Sequence, residues 1–108
     1  MPAKDQLHGT LDALVLKTLT FGPRHGYAIV GWLREQTQDR LQVEEGSLYP
    51  ALYRMERDGW IKSDWGTSEL GRKAKFYSLT DAGRRQLRAE TTSFAQFVDV
   101  VAPLLLPS

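Results

Sequence analysis

Hydrophobic residues recur at helical spacing close to the start of the chain and predict a first helix. They follow the i, i+4, i+7, i+8 pattern, which makes one face of the helix apolar. A Gly-Pro pair at residues 22–23 ends the pattern, because both residues favour a turn. We assign this helix a structural role. The apolar positions are Leu7, Leu11, Leu14, Val15 and Leu19.

A second amphipathic pattern predicts a helix from Tyr27 to about Gln38. Tyr27 lies at its start, where the phenol either reaches a phosphate or packs half-buried on a neighbour, and the sequence leaves both open. His25 is interpreted as a loop residue rather than a metal ligand, because the other histidine, His8, is distant and no third ligand is nearby. The apolar stripe of this helix consists of Ala28, Ile29, Trp32 and Leu33.

Residues 47–58 predict a third, short helix, around which the other elements are arranged. Ser47 is expected to cap the first turn, since a serine oxygen accepts a hydrogen bond from an unpaired amide there. Pro50 then falls within that turn, where its missing N–H costs little. Gly59 is the expected stop signal.

The two faces of this third helix differ in character. At about 100° per residue, Leu48, Leu52 and Met55 form a stripe that should face a core. The opposite face could read a nucleic-acid groove, whereas a solvated face is the alternative that the helix by itself favours. Two short helices joined by a brief connection match the order of a helix-turn-helix. The outward residues are Pro50, Tyr53, Arg54 and Arg57, with Tyr49 on the flank.

Residues 60–65 and 72–79 predict the two strands of a β-hairpin. Polar and less polar positions alternate in the first strand, and aromatic residues are frequent in the second. Arg72, Lys73 and Lys75 place three positive charges beside the hairpin tip. This is a local basic patch that the net charge of +1 conceals, with a solvated tip as the alternative.

A long last helix is predicted after Thr80, which can cap it, with Asp81 near the positive helix end. Pro103 is expected to end it. Its heptad-like apolar stripe can fold back on the first helix or pair with another chain. We expect pairing, because the preceding elements already form a closed unit. The stripe consists of Leu87, Phe94, Phe97, Val98 and Val101.

Length and composition limit the classes of protein. A chain of 108 residues forms one domain. It has no cysteine and only two histidines, and its glycines do not form a phosphate-binding loop. We therefore expect no enzyme, no cofactor and no metal site. The apolar segments are too short to cross a membrane and the start lacks a signal peptide, so a cytoplasmic location is expected.

Four motifs, in order, resemble the PadR family of bacterial transcriptional regulators. They are His-Gly-Tyr-Ala-Ile at residues 25–29, Gly-Ser-Leu-Tyr-Pro-Ala-Leu at 46–52, Gly-Trp-Ile at 59–61 and Arg-Lys-Ala-Lys-Phe-Tyr-Ser-Leu-Thr-Asp-Ala-Gly at 72–83. The resemblance covers about residues 7–90. Gln-Val-Glu at 42–44 and Trp-Gly-Thr-Ser-Glu at 65–69 are similar to the group often labelled acidobacterial-type PadR.

The resemblance implies a mainly α fold with a small β-hairpin: a winged helix-turn-helix in residues 1–79 and a dimerisation helix in residues 80–108. It implies a homodimer that represses transcription at promoter DNA. A winged-helix module that binds protein through the same surface, without DNA, is the alternative. Together with the outward face of the third helix, the resemblance implies DNA contacts from Tyr27, Ser47, Tyr49, Pro50, Tyr53, Arg54, Arg57, Arg72, Lys73 and Lys75.

The chain departs from the family pattern in its last helix. Short members of the family bind flat aromatic compounds at the dimer interface, aided by a tryptophan on that helix. Here the helix has Phe94 and Phe97 but no tryptophan. If the chain binds a small aromatic effector, the expected contacts are Phe94, Phe97 and Val101.

Overall fold

The computed structural model describes the backbone of residues 3–107 and the side chains of residues 9–107. Within them, the helices are α1 (Ala3–Leu19), α2 (Gly26–Gln36), α3 (Glu45–Arg57) and α4 (Asp81–Leu105). The strands are β1 (Arg24–His25), β2 (Ile61–Thr67) and β3 (Lys73–Leu79). Helices α2 and α3 form the helix-turn-helix and the β2–β3 hairpin forms the wing, so the predicted fold class is confirmed. The predicted apolar position of Leu7 lies outside the described side chains.

The core lies where α1, α2 and α3 meet the base of the wing. The predicted inward stripe of α3, Leu48, Leu52 and Met55, is completely buried. Each such side chain contributes roughly 1.5–3 kcal/mol relative to an exposed one, so this stripe fixes α3 on the domain. The other fully buried apolar side chains include Val15 and Leu16 of α1, Ile29 of α2 and Ile61 of β2.

A short strand that the sequence did not indicate completes the sheet. Strand β1 pairs antiparallel with β3, with Arg24 opposite Tyr77 and His25 opposite Phe76, and the strand order is β1-β3-β2. Two residues are too few to show an alternating pattern. The interpretation of His25 as a loop residue is therefore wrong. Its Nδ1 also accepts a 3.1 Å hydrogen bond from the N–H of Ala28 and caps α2.

Helix α3 begins before its predicted start. Glu44 is the N-cap residue, and the N–H groups of Ser47 and Leu48 both donate to its carbonyl, at 3.0 and 2.9 Å. Ser47 thus lies inside the first turn, and the prediction that it caps the helix is wrong. Pro50 consequently lies in the helix interior rather than in the first turn. The carbonyl of Gly46 loses its helical donor, but Gly46 is exposed and water can replace it.

The end of α3 is the predicted one. Gly59 adopts a φ of +82°, a left-handed conformation that glycine adopts without steric cost. The N–H of Trp60 donates to the carbonyl of Met55 at 3.0 Å, and the N–H of Gly59 donates to Glu56 at 3.1 Å. This pair of bonds is the Schellman motif, which satisfies the last carbonyls of a helix. It turns the chain directly into the wing.

Helix α4 starts as predicted and ends later than predicted. The Thr80 hydroxyl accepts a hydrogen bond from the N–H of Gly83 at 3.0 Å and donates one to the carbonyl of Gly59 at 2.6 Å. At Gly83 a Cβ would collide with the carbonyl oxygen of Trp60, so this glycine allows α4 to approach the turn after α3. Pro103 lies inside the helix, which continues to Leu105, so the prediction that it ends α4 is wrong. The lost hydrogen bond falls in an exposed last turn, where water can replace it.

The two halves of the last helix have different surroundings. Its first half packs along α1, where Leu87 joins the core of its own chain. Leu87, which the sequence assigned to the dimerisation stripe, is thus half-buried within its own chain. Farther along, Phe94, Phe97 and Val98 remain exposed. Among the described residues, none of the helices combines the length and the apolar character that crossing a membrane requires.

Candidate nucleic-acid interface

A cleft of about 380 Å³ separates the helix-turn-helix from the wing. The start of α2 forms one wall, the second turn of α3 contributes Tyr49, and the inner face of the wing forms the other wall. Gly26 leaves room for the Tyr49 side chain at the start of α2, because a Cβ there would lie 2.6 Å from the Tyr49 hydroxyl. The lining residues are His25, Gly26, Tyr27, Tyr49, Trp65, Lys73, Ala74, Lys75 and Tyr77.

The wing wall of this cleft combines aromatic rings with lysines. The Lys73 ammonium lies 5.3 Å from the centre of the Trp65 ring, and Lys75 lies 5.9 Å from that of Tyr77. Trp65 is directly opposite Lys75 in the sheet register, so these four side chains share one face of the hairpin. Burial, and then the Glu56 carboxylate, raise the pKa of Tyr77, which stays a neutral phenol. The wall therefore offers positive charge over apolar rings.

Glu56 anchors the wing to α3. One carboxylate oxygen accepts a 2.6 Å hydrogen bond from the Ser63 hydroxyl, and the other lies 3.6 Å from the Lys75 ammonium. Part of the Lys75 charge is thus compensated within the domain. Lys73 makes no ion pair with any described residue, so it is the more available cation of the two.

A tight turn closes the wing tip and places Arg72 at its end. The N–H of Ser68 donates to the carbonyl of Arg72 at 2.8 Å, and the N–H of Gly71 donates to the carbonyl of Ser68 at 2.8 Å. Gly71 has a φ of +76°, which the turn requires. Glu69 lies in the same turn, and its carboxylate stands 3.8 Å from the His25 Nε2. Because Nδ1 accepts from Ala28, the His25 proton is on Nε2 and faces this carboxylate.

The outward face of α3 is lined by exposed tyrosine, proline and arginine. Tyr53 is 72% exposed and Tyr49 45% exposed, and Tyr27 at the start of α2 is 78% exposed. Large aromatic side chains in solvent provide contact area at low entropic cost. Arg57 extends along the same face and lies 3.3 Å from Asp58. Ser47 and Pro50 are exposed on the first half of the helix.

Arg54 does not belong to the outward face as predicted. Its Nη1 and Nη2 each donate a 2.8 Å hydrogen bond to Asp12 of α1. The Asp12 side chain is only 5% exposed and that of Arg54 31% exposed. The hydrogen bond to Asp12 raises the pKa of Arg54, which stays charged. Arg54 lies on the flank of α3, and its guanidinium turns toward α1 because the buried Asp12 carboxylate lies there.

The comparison with known proteins identifies the family. The model of the transcriptional regulator PadR-like family matches residues 15–89. This chain belongs to the PadR-like family of transcriptional regulators. A transcriptional regulator from Clostridium thermocellum has a similar structure, with a TM-score of 0.84 and 27% identity over 94% of this chain and 98% of that one.

Two further relatives support the same family. A PadR-like transcriptional regulator from Bacillus cereus has a TM-score of 0.74 and 31% identity, covering 96% of this chain and 99% of that one. A transcriptional regulator of Mycobacterium tuberculosis is 39% identical over 57 residues, which is 52% of each chain. The chain is thus a PadR-family transcriptional regulator, as the four sequence motifs indicated.

Within this PadR fold, the predicted site residues fall into three groups. Tyr27, Tyr49, Lys73 and Lys75 meet in the cleft. Ser47, Pro50, Tyr53 and Arg57 lie on the exposed side of α3, and Arg72 lies at the wing tip. Arg54 lies apart, against α1.

The sequence reasoning missed Gly26 and Trp65 as members of the cleft, and Asp12 as the partner of Arg54. The signal for Asp12 was a single carboxylate within the apolar pattern of α1. Among the described side chains, no three histidine, aspartate or glutamate residues come together as a metal site would require.

Proposed function

We propose that this PadR-family regulator is a homodimeric repressor that binds promoter DNA of a neighbouring gene or operon. The observation that carries the proposal is the shared surface formed by the exposed face of α3 and the cationic, aromatic wall of the wing. The major groove of DNA is wide enough to admit a helix such as α3, and a basic hairpin beside that helix can then reach the phosphates. Contacts to phosphate set the register, and side chains at base edges specify the sequence.

The structure suggests distinct roles for the residues on this surface. Ser47, Tyr49 and Pro50, on the first half of α3, are proposed to face base edges. Tyr53 and Arg57 lie farther along, where Arg57 reaches phosphate. From the wing, Arg72, Lys73 and Lys75 are proposed to contact phosphates, with Lys75 the weakest because it shares its charge with Glu56. Tyr27, at the start of α2, is proposed to contact the backbone.

The second half of α4 is proposed to associate with a second copy. Phe94, Phe97 and Val98 are exposed there, with Val101 half-buried next to them. Burying each of the large side chains contributes roughly 1.5–3 kcal/mol. We accordingly propose a DNA-binding unit of residues 1–79 and an association helix of residues 80–108. In the dimer, two α3 helices in successive major grooves read half-sites about 34–36 Å apart.

A groove of about 630 Å³ lies beside this association surface, between α1 and α4. Phe94 is one of its walls, and the groove is large enough for a small ligand. A small aromatic effector that contacts Phe94, with Phe97 and Val101 nearby on α4, is proposed to bind there. Its lining includes Thr10, Ala13, Leu14, Lys17, Leu87, Arg88, Thr91, Thr92 and Phe94.

Charge reversal on the wing tests the proposal. The variant Arg72→Glu/Lys73→Glu should lower affinity for a DNA site selected from random sequence by at least tenfold, because two phosphate contacts become repulsions. Sedimentation should show an unchanged oligomer. The control for one charge reversal at another position of the wing is Lys62→Glu, because Lys62 is exposed on β2 but points to the sheet face opposite the cleft.

The control should bind DNA nearly as well as the wild-type protein. Full DNA binding by the double charge reversal would exclude the wing as a DNA contact. A wild-type protein that binds no DNA but captures a protein partner through this surface would support the alternative, a winged-helix interaction module.

A further inference from the structure

The Asp12–Arg54 pair joins two helices that are distant in sequence. The two terminal guanidinium nitrogens, Nη1 and Nη2, donate to separate oxygens of one carboxylate, each at 2.8 Å, across 42 positions of the chain. A bidentate pair of this kind fixes orientation as well as distance, because the guanidinium and the carboxylate are both planar. The Asp12 side chain is almost fully covered, so its charge depends on Arg54 for compensation.

This pair is one of two attachments that hold α3 on opposite flanks. On the other flank, Glu56 binds Ser63 and Lys75 of the wing. Arg54 and Glu56 are two residues apart, about 200° around the helix. One flank is therefore tied to α1 and the other to the wing, and the exposed face of α3 lies between them. Rotation of α3 about its own axis would break both attachments.

Small rotations of α3 are large on the scale of base recognition. Its outer atoms lie about 5–6 Å from the helix axis, so a rotation of about 20° moves them by about 2 Å. Hydrogen-bond distances vary by only a few tenths of an ångström, about 2.7–3.2 Å for N–H···O. A contact from Ser47 or Tyr49 to a base edge would not survive such a rotation.

We propose that Asp12 is a positioning residue for sequence recognition: it holds Arg54 against α1, and so sets the rotation of α3 at which its exposed face meets the bases. This rests on the proposed DNA binding. Arg54 itself makes no contact with DNA. The pair attaches α3 to α1, and α1 also packs along α4. Helix α1 therefore sets the positions of both the proposed recognition helix, α3, and the proposed association helix, α4.

Two variants separate this role from the others. Asp12→Asn keeps the shape of the side chain and removes its charge. Asp12→Asn/Arg54→Gln replaces the ion pair by two neutral amides, which leaves no buried charge and keeps the protein testable if the single variant is poorly folded. The matched control is Asp39→Asn, which changes the net charge equally but removes an exposed ion pair with Arg34. Asp39 has a φ of +62°, which asparagine tolerates.

Each protein is titrated with the selected DNA site and with unrelated DNA over a range of salt concentrations, with affinities corrected for the folded fraction measured by circular dichroism. We expect both Asp12 variants to lose at least tenfold in preference for the selected site. Binding to unrelated DNA and the salt dependence should stay as in the wild-type protein. Asp39→Asn should keep the full preference.

The other outcomes overturn the inference. A full preference per folded molecule in both Asp12 variants would mean that the pair only stabilises the fold. A salt slope lower by about one in the double variant would mean that Arg54 neutralises a phosphate directly. A wild-type protein with no affinity for any DNA would overturn the proposed function and this inference together, which distinguishes that failure from the first two.

Discussion

Gly26 offers a test of the cleft at the level of a single methyl group. A Cβ at this position would lie 2.6 Å from the Tyr49 hydroxyl and 2.9 and 3.0 Å from two ring atoms. Ordinary contacts begin near 3.4 Å, so Gly26→Ala moves the phenol by about 0.8 Å or more. Because Tyr49 is partly exposed, its ring can swing toward solvent without disturbing the backbone.

The expected change in stability is small. Tyr49 covers about half of its surface, on the order of 100 Å², so a complete loss of its packing would cost about 2.5 kcal/mol. A partial displacement costs less, and because Gly26 is the first residue of α2, the gain from alanine in a helix interior does not apply. We expect the free energy of unfolding in urea to change by about 1 kcal/mol or less. DNA affinity should fall about tenfold, or about 1.4 kcal/mol, because the displaced Tyr49 ring no longer meets the DNA major groove at its proposed position.

Fluorescence anisotropy with a labelled DNA site measures the affinity, and urea unfolding measures the stability. Tyr49→Ala serves as the matched variant, since it removes the ring that Gly26→Ala displaces. The two single variants and the double variant should bind DNA with similar affinity, because all three lose the same contact. Wild-type affinity in Gly26→Ala, with wild-type stability, would refute the proposed position of Tyr49 at the DNA. An additive loss in the double variant would show that Gly26 acts by another route.

Two further predictions concern α4. Gly83→Ala places a methyl group against the carbonyl oxygen of Trp60, which is backbone and cannot yield, so we expect a loss of about 1–3 kcal/mol in urea unfolding. Gly31 of α2 is the control, because a Cβ there would have open space around it. Gly31→Ala should raise the free energy of unfolding by about 0.5–1 kcal/mol. Equal effects of the two substitutions would contradict the packing of Gly83 against Trp60. Phe97→Asp should shift the protein from dimer to monomer in sedimentation velocity, because it places a charge in the proposed seam. An unchanged sedimentation coefficient at the same concentration would exclude Phe97 from that seam.

The larger elements could be predicted because each shows a repeating pattern. The buried stripe Leu48, Leu52 and Met55 has the helical period, and it located the core face of α3 correctly. Gly59 was found because a glycine after an amphipathic run marks a helix end. The incorrect predictions concerned local features, such as helix caps and ends, that a repeating pattern does not determine. Ser47 is a favourable cap, but the chain becomes helical directly after the extended Glu44, so the serine lies one turn too late.

The contacts around the candidate site were harder to predict because they join distant parts of the chain. Periodicity places Arg54 near the edge of the exposed face, but only the packing of α1 against α3 brings Asp12 within 2.8 Å of it. In the same way, the Tyr49 side chain lies against Gly26 although the two residues belong to different helices, α3 and α2. The order of residues in the hairpin indicated basic and aromatic side chains on the wing, whereas the three-dimensional fold decides which cations are compensated by carboxylates.

The ion pairs between these cations and nearby carboxylates limit how strongly one subunit could bind DNA. Of the cations on the proposed surface, Lys75 lies beside Glu56 and Arg57 beside Asp58, whereas Arg72 and Lys73 have no carboxylate within ion-pair distance among the described residues. One subunit can therefore neutralise about two to four phosphates, which gives a salt slope of only about −2 to −4.

In the proposed complex, so few phosphate contacts would give a monomer only weak, non-specific binding. A proposed dimer joined through α4 would double the number of contacts and convert the second binding event into an intramolecular one. The exposed tyrosines Tyr27, Tyr49 and Tyr53 add contact area without adding charge. In the proposed complex, affinity depends on association through α4 and selectivity depends on the orientation of α3. Helix α1 packs against both of these helices and so connects the two requirements.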